Sequence, residues 1–392
     1  MTFIHAFLLT SIQRRRSLFI LLILCFLMHS PGFAVPGTAD SLSLAPTVGR
    51  QEAGTKTQPA SPQSETQNES AALSPDQLGF QEVWGYLMEG EERFFSQELP
   101  ISDIGYFSAS INSQGKLVGV PSRSKIRNCG RRVHLVIADL DNYALVHFCF
   151  SPEFHVRDAL ISDIVLAAQD YEGVQLDFEA VATADKDNYL QFARLLKSSL
   201  GGKTLSIALP AATRESEDHF GYKRFAAAAD RIVIMAYDEH WSTSRPGPVA
   251  SMEWCSRVAD YAVSQIPPQK LIMGAPFYGR AWADKSLSRA YRFSSLSTLI
   301  DEKGIDDSDV QRLNGVPYLE YSETVKVRVY FDDALSTAGR LGIYRGKNVW
   351  NIAFWRLGQE DANIWKYLSI EHEIWPSVNS SGLSSHMPCM MR

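Results

Sequence analysis

The chain has 392 residues, 45% of them apolar, which is enough for one large barrel or two average domains around a real core. Its formal net charge is -6, and Lys and Arg are scattered apart from one N-terminal run, so there is no basic stripe of the kind nucleic acid requires. Composition therefore excludes a disordered chain and predicts no nucleic-acid partner.

The basic run Arg14 to Arg16 precedes the apolar stretch "LFILLILCFLM" (Leu18 to Met28), and "PGFA" places Gly32 and Ala34 at the -3 and -1 positions of a cleavage site. The expectation is a secretory signal peptide over 1–34 and an exported protein: periplasmic, envelope-associated or secreted. The stretch falls short of the roughly 20 residues needed to cross a bilayer. An uncleaved N-terminal anchor is the alternative, and otherwise no membrane partner is expected. Lipidation of Cys25 is disfavoured by Leu24, where a small residue is usual. Loss of the leader leaves Cys129, Cys149, Cys255 and Cys389 with no C-x-x-C pair, which predicts no metal site. Export permits a disulfide, with Cys129 and Cys149 nearest in sequence, but buried free thiols are the simpler expectation.

Residues 35–78 are rich in Ser, Thr, Pro, Gln, Ala and Glu, a composition that cannot bury enough surface to offset ordering entropy; they are read as a linker. The domain proper is expected over 79–376 and a loose tail over 377–392.

Within 79–376, short strand-like runs alternate with helical patterns. The strand candidates in order are "EVWGYLM", "DIGYFSA", "VHLVIADL", "GVQLDFEAV", "TLSIALPA", "RIVIMAYD", "LIMGAPFYG" and "WNIAFWRLG". Between them, Val156, Leu160, Ile161, Ile164, Val165 and Ala168 form one helical stripe. Tyr189, Phe192, Leu196 and Leu200 form another, closed by Gly201 and Gly202. The segment 283–347, with its alternating "VKVRVYF", is too long for a simple crossover and predicts a small inserted α+β lobe. Eight βα units predict an α/β fold, a (β/α)8 barrel. The competing doubly wound sheet lacks its G-x-G-x-x-G, and "SLGGKT" lacks the leading Gly of a phosphate loop.

The fourth strand carries the chemistry. Alternate side chains share a face, so Gln175, Asp177 and Glu179 point one way and Val174, Leu176 and Phe178 the other. In a barrel the apolar set faces the helices and the polar set lines the interior near the C-terminal mouth. Crowded carboxylates there are costly unless one keeps its proton, and a carboxylic acid held neutral near pH 7 is what a general acid needs. A half-exposed antiparallel strand with a polar outer face is the bland alternative; the apolar flanking strands argue against it.

These residues resemble glycoside hydrolase family 18, the chitinases and their relatives. The family's D-x-x-D-x-D-x-E reads here as Glu172, Gln175, Asp177 and Glu179. "MAYD" (Met235 to Asp238) is similar to its M-x-Y-D, "GAPFYGRAW" to its G-x-P-F-Y-G-R, and "IAFWRLGQED" to its last Trp segment. The resemblance spans nearly the whole domain, the inserted lobe with "VYFDDALS" included. It implies a glycosidase acting on glycans that contain N-acetylglucosamine, without a cofactor or metal. It also implies that Glu179 protonates the glycosidic oxygen, that Asp177 orients and charge-stabilises the 2-acetamido group, and that Tyr237 holds the acetamide carbonyl as it attacks the anomeric carbon. Trp355 would be the hydrophobic floor under the sugar. Asp238, Gln175, Tyr278, Arg280 and Met235 would line the site, with Asp238, Tyr278 and Arg280 equally suited to bracing it.

The chain departs from the signature at Glu172 and Gln175, where chitin-cleaving members carry Asp. Gln175 can hydrogen-bond Asp177 but cannot relay a proton. That substitution, and "VIADLDN" in place of a Ser-Gly-Gly motif, resemble the spore-lytic and cell-wall branch. A lectin-like binding protein is the alternative reading, and the presence of Glu179 with Asp177 and Tyr237 argues for an enzyme. An esterase would need a G-x-S-x-G elbow, and "HEIW" at His372 lacks the second His of H-E-x-x-H.

Overall fold

The computed structural model describes residues 77–127, 130–139, 141–216, 220–283, 288–322 and 326–371. The expected leader, most of the linker and the tail lie outside these residues, as do Cys129 and Cys389.

Eight strands form the barrel: β1 (Glu82–Met88), β2 (Asp103–Ile111), β3 (Arg132–Asp139), β4 (Gly173–Phe178), β5 (Thr204–Pro210), β6 (Arg231–Met235), β7 (Leu271–Pro276) and β8 (Asn351–Trp355). Each pairs in parallel with its sequence neighbour, except that β7 is followed by β8 only after a long excursion, and β8 closes the ring on β1. This is a closed parallel (β/α)8 barrel, and all eight predicted strands are in it. The ring forms because each strand is apolar on the face toward the helices: Val174, Leu176 and Phe178 of β4 are buried in the main core with Leu160, Ile164, Phe192 and Leu196 of the surrounding helices. The two predicted helical stripes fall on helices Val156–Ala167 and Lys186–Ser199, and Gly201 and Gly202 adopt positive φ just after the second.

The barrel interior is a separate, smaller cluster of Trp84, Tyr86, Phe107, Val136, Ala208, Val233, Ile272 and Ala353. Below it, at the N-terminal ends of the strands, charged groups close the barrel. Glu82 accepts from Arg231 Nη2 at 2.6 Å and from Arg132 Nη2 at 2.8 Å, and Asp103 lies 2.9 Å from His134 Nε2 and accepts from Arg132 Nε at 2.6 Å. Burial opposes ionisation of Asp103, but the hydrogen bonds from His134 and Arg132 prevail and hold its carboxyl well below the usual range. This end is built for stability, which leaves the C-terminal end for chemistry.

The inserted lobe is a five-stranded antiparallel sheet of Tyr278–Ala283, Arg289–Arg292, Gln311–Leu313, Val316–Ser322 and Lys326–Tyr330, with helix Phe293–Lys303 packed on it through Leu296. It therefore begins ahead of residue 283 and ends before residue 347. Helix Ala334–Gly346, inside the expected lobe, instead packs on the barrel: Leu341 and Tyr344 join the main core, and the Tyr344 hydroxyl donates to the Gly274 carbonyl at 3.4 Å. The sequence misleads here because the amphipathic run after "VYFDDALS" has no signal saying which of two adjacent cores it serves. Asp333 starts that helix with a capping box shared with Ser336. Cys149 and Cys255 are buried free thiols.

Candidate active site

Strand register builds the site. Val136 of β3 lies opposite Gln175 and Ala138 opposite Asp177, while Ser206 of β5 lies opposite Gln175 on the other side. Gln175 is fully buried, and its Nε2 donates to Ser206 Oγ at 3.1 Å while its Oε1 has no partner among the described residues. Asp177 is buried one step higher, its Oδ1 likewise without a partner among the described residues. Burial and the nearby Glu179 charge push the Asp177 carboxyl up to about 8. Glu179 follows the last residue of β4 and reaches the open mouth; its backbone N–H donates to the Asp139 carbonyl at 3.0 Å, which extends the β3–β4 pairing past the strand end. The surrounding walls, with the Asp238 charge adding, raise its carboxyl above the ordinary value.

Tyr237 comes from the end of β6. Burial drives its hydroxyl well above the usual range, and Tyr86, Asp177, Tyr278 and Glu179 all add to that effect; its ring packs edge-on to that of Tyr278 at 6.4 Å. Gly274 on β7 makes room for it: a Cβ there would sit 3.0 Å from Tyr237 Cε1 and 2.8 Å from the Ile234 carbonyl oxygen. Asp238 follows in the left-handed region with φ 58°, a conformation that Asp adopts more readily than most residues and that turns the chain sharply out of β6. Its carboxylate accepts from the Tyr278 hydroxyl at 2.6 Å and from Arg280 Nη2 at 3.0 Å. Tyr278 and Arg280, both on the first lobe strand, thus brace Asp238, and the Arg280 guanidinium also lies 5.9 Å from the Tyr278 ring centre.

Trp355 ends β8. Its indole packs edge-on to Phe107 at 4.9 Å and tilted on Tyr86 at 5.7 Å, and its carbonyl accepts from Phe277 N at 2.8 Å. The Trp355–Arg356 peptide is cis. Met235, like Trp355, packs against the interior cluster. Gln175 thus lies midway along β4, Asp177 and Glu179 at its C-terminal end, Met235, Tyr237 and Asp238 at that of β6, Trp355 at that of β8, and Tyr278 and Arg280 on the first lobe strand.

Sequence reasoning missed Tyr86 and Phe107, the aromatic walls beside Trp355. Burial, then the Asp177 charge, raise the Tyr86 hydroxyl, against a hydrogen bond with Gln175. The signal was available: Glu82, Trp84, Tyr86 and Met88 alternate inward on β1. The glycines that let the aromatics lean across the interior were not readable that way. A Cβ on Gly105 of β2 would come within 2.3 Å of the Tyr86 ring. Two carboxyls of raised pKa, a tyrosine hydroxyl and an aromatic surface around one opening can donate a proton and hold a polar group against an apolar ring face.

The family model for "Glycosyl hydrolases family 18" matches residues 157–360, just over half of the chain. A Bacillus subtilis (strain 168) protein named for a sporulation-specific glycosylase role, YdhD, is 29% identical over 218 residues, covering 51% of each chain. The cortical fragment-lytic enzyme of Bacillus anthracis is 26% identical over 290 residues, covering 68% of this chain and 66% of that one. The chain thus spans about half to two thirds of the length of these curated relatives. The crystal structure of the Bacillus cereus spore cortex-lytic enzyme SleL superposes with a TM-score of 0.66 at 22% identity, covering 76% of each chain, which supports the barrel fold. With a family match that runs from the helix before β4 through β8 and takes in both carboxyls and the tyrosine, the chain belongs to glycosyl hydrolases family 18.

Proposed function

We propose that this enzyme hydrolyses β-1,4-linked glycans containing N-acetylglucosamine by substrate-assisted retaining catalysis, and that its natural polymer is of the peptidoglycan type. The observation that carries the reading is that Asp177 and Glu179 stand at the C-terminal end of β4 and Tyr237 just past the C-terminal end of β6, at the same mouth of the barrel, with Asp177 Oδ1 lacking a hydrogen-bond partner among the described residues. Glu179 gives its proton to the glycosidic oxygen. The substrate's acetamide oxygen attacks the anomeric carbon, the bond to the leaving sugar breaks, and the positive charge that forms on the cyclised acetamide rests beside Asp177. The free Asp177 oxygen accepts the acetamide N–H, and the Tyr237 hydroxyl donates to its carbonyl oxygen. Glu179, now a carboxylate, takes a proton from the water that opens the ring, on the face the leaving group vacated. Trp355, flanked by Tyr86 and Phe107, supplies the flat apolar surface under the sugar.

Gln175 supports the cell-wall choice of polymer. An amide tied to Ser206 cannot relay a proton to Asp177, unlike the acidic residue of chitin-cleaving members. Relatives named for spore cortex and cortical-fragment lysis point the same way. Export through the leader over 1–34 brings the enzyme to such a substrate. Incubation with purified peptidoglycan and with chitin oligomers, followed by mass analysis of new reducing ends, is expected to release N-acetylglucosamine ends from peptidoglycan faster. Preferential release from chitin oligomers would overturn the choice of polymer. A first product of inverted configuration by NMR would overturn the mechanism.

A further inference from the structure

The floor residue Trp355 is followed by Arg356, a guanidinium that is 3% exposed, and the carboxylate that neutralises it stands 265 residues earlier in the chain. Glu91, also 3% exposed, sits in the turn after β1, its N–H donating to the Met88 carbonyl at 3.0 Å. One of its oxygens bonds Arg356 Nη1, and the other accepts from Arg292 Nη2 at 2.9 Å. Arg292 lies opposite Tyr278 in the lobe sheet and directly precedes the lobe helix. With its oxygen turned toward the guanidinium, the Gln359 amide accepts from Arg356 Nε at 3.2 Å and Nη2 at 3.3 Å, and the Gln359 carbonyl accepts from Phe293 N at 3.0 Å. The ring of Phe94 closes the cluster, 5.3 Å from the Arg292 guanidinium and against Gly358, where a Cβ would come within 2.3 Å of it.

One buried carboxylate therefore serves two guanidiniums from two different elements. Removing it leaves Arg356 buried with Gln359 as its one side-chain acceptor among the described residues, and such an uncompensated charge moves toward water if the chain can shift. The element that would shift is the one that aims Trp355. We infer that Glu91 is a positioning residue for the reaction: it fixes Trp355 through Arg356 and ties the lobe to the same point through Arg292.

This rests on the reading of Trp355 as the sugar floor, and a double-mutant cycle separates the two. The full chain, Glu91→Gln, Trp355→Ala and the double variant are assayed on a fluorogenic N-acetylglucosamine oligomer, with melting temperature recorded for each. Glu91→Gln is expected to lower kcat/KM about tenfold, within what a small misplacement of a positioning group costs, and to have no further effect once Trp355 is Ala. Equal losses in both backgrounds, or a folded Glu91→Gln of full activity, would overturn the positioning role. An unchanged Trp355→Ala would instead remove the floor reading itself. Should Glu91→Gln not fold, Arg292→Ala takes its place in the cycle: a several-fold loss that disappears in Trp355→Ala supports the proposal, and an additive loss overturns it.

Discussion

Burial and the charge of Glu179, two residues further along the chain, push the Asp177 carboxyl up to about 8, so a proton stays in this acidic pair at neutral pH. In the free enzyme the deeper Asp177 carries it. In the proposed mechanism, a substrate that develops positive charge on its acetamide favours an ionised Asp177 and leaves the proton on Glu179 for the leaving group.

The proton has a stability signature. The folded state keeps Asp177 protonated well above the ordinary carboxyl value of 3.8, so between about pH 4 and pH 8 it binds more protons than the unfolded chain, and this group's contribution to stability falls as pH rises through that window. Asp177→Asn, which mimics the neutral form, is expected to match the parent near pH 4 and to melt at a higher temperature near pH 8. A melting-temperature difference that does not grow with pH would contradict the raised value.

Removing the acid should separate binding from chemistry. Glu179→Gln is expected to lower kcat on an unactivated N-acetylglucosamine oligomer by about a hundredfold or more, in the range assigned to general acid catalysis. Affinity for the oligomer, measured by calorimetry, should change little. Substantial residual turnover would assign the proton donor elsewhere.

Asp238 sits close enough to raise the Glu179 carboxyl by its charge while being held by Tyr278 and Arg280. Asp238→Asn removes that charge, which makes Glu179 easier to ionise, so the alkaline limb of kcat/KM should move to lower pH. A limb that stays in place, in a variant that still folds, would show that the Asp238 charge does not reach the acid.

Arg340 and Asp332 form a fully buried pair at 2.7 Å, and the same Arg340 nitrogen donates to the Ala250 carbonyl at 2.7 Å. Burial raises the Asp332 carboxyl even with its partner in place. Arg340→Met strands that carboxylate and is expected to cost about 3–5 kcal/mol at neutral pH by denaturant unfolding. The loss should shrink in acid, where Asp332 can take up a proton, and a second change, Asp332→Asn, should restore much of it.

The barrel was legible because each strand advertises itself by a dense β-branched and aromatic run, and two of the helices by a 3.6-residue apolar stripe; those signals are local. The β4 carboxyls were legible for the same reason, since period-two alternation is enough to assign Gln175, Asp177 and Glu179 to one face. Tyr86, Phe107 and Glu91 were not, because what each does depends on a partner far away in the chain: Trp355 for the first two, Arg356 and Arg292 for the third. The edges of the lobe were hidden likewise, since helix Ala334–Gly346 is amphipathic whichever core it joins. By itself the sequence determined which residues form strands, which face each side chain takes and where carboxyls crowd, since backbone sterics and side-chain alternation act over a few residues. Only the closed ring decided which groups meet, how deeply Asp177 is buried and hence where its proton sits, because desolvation and charge proximity are properties of the packed whole.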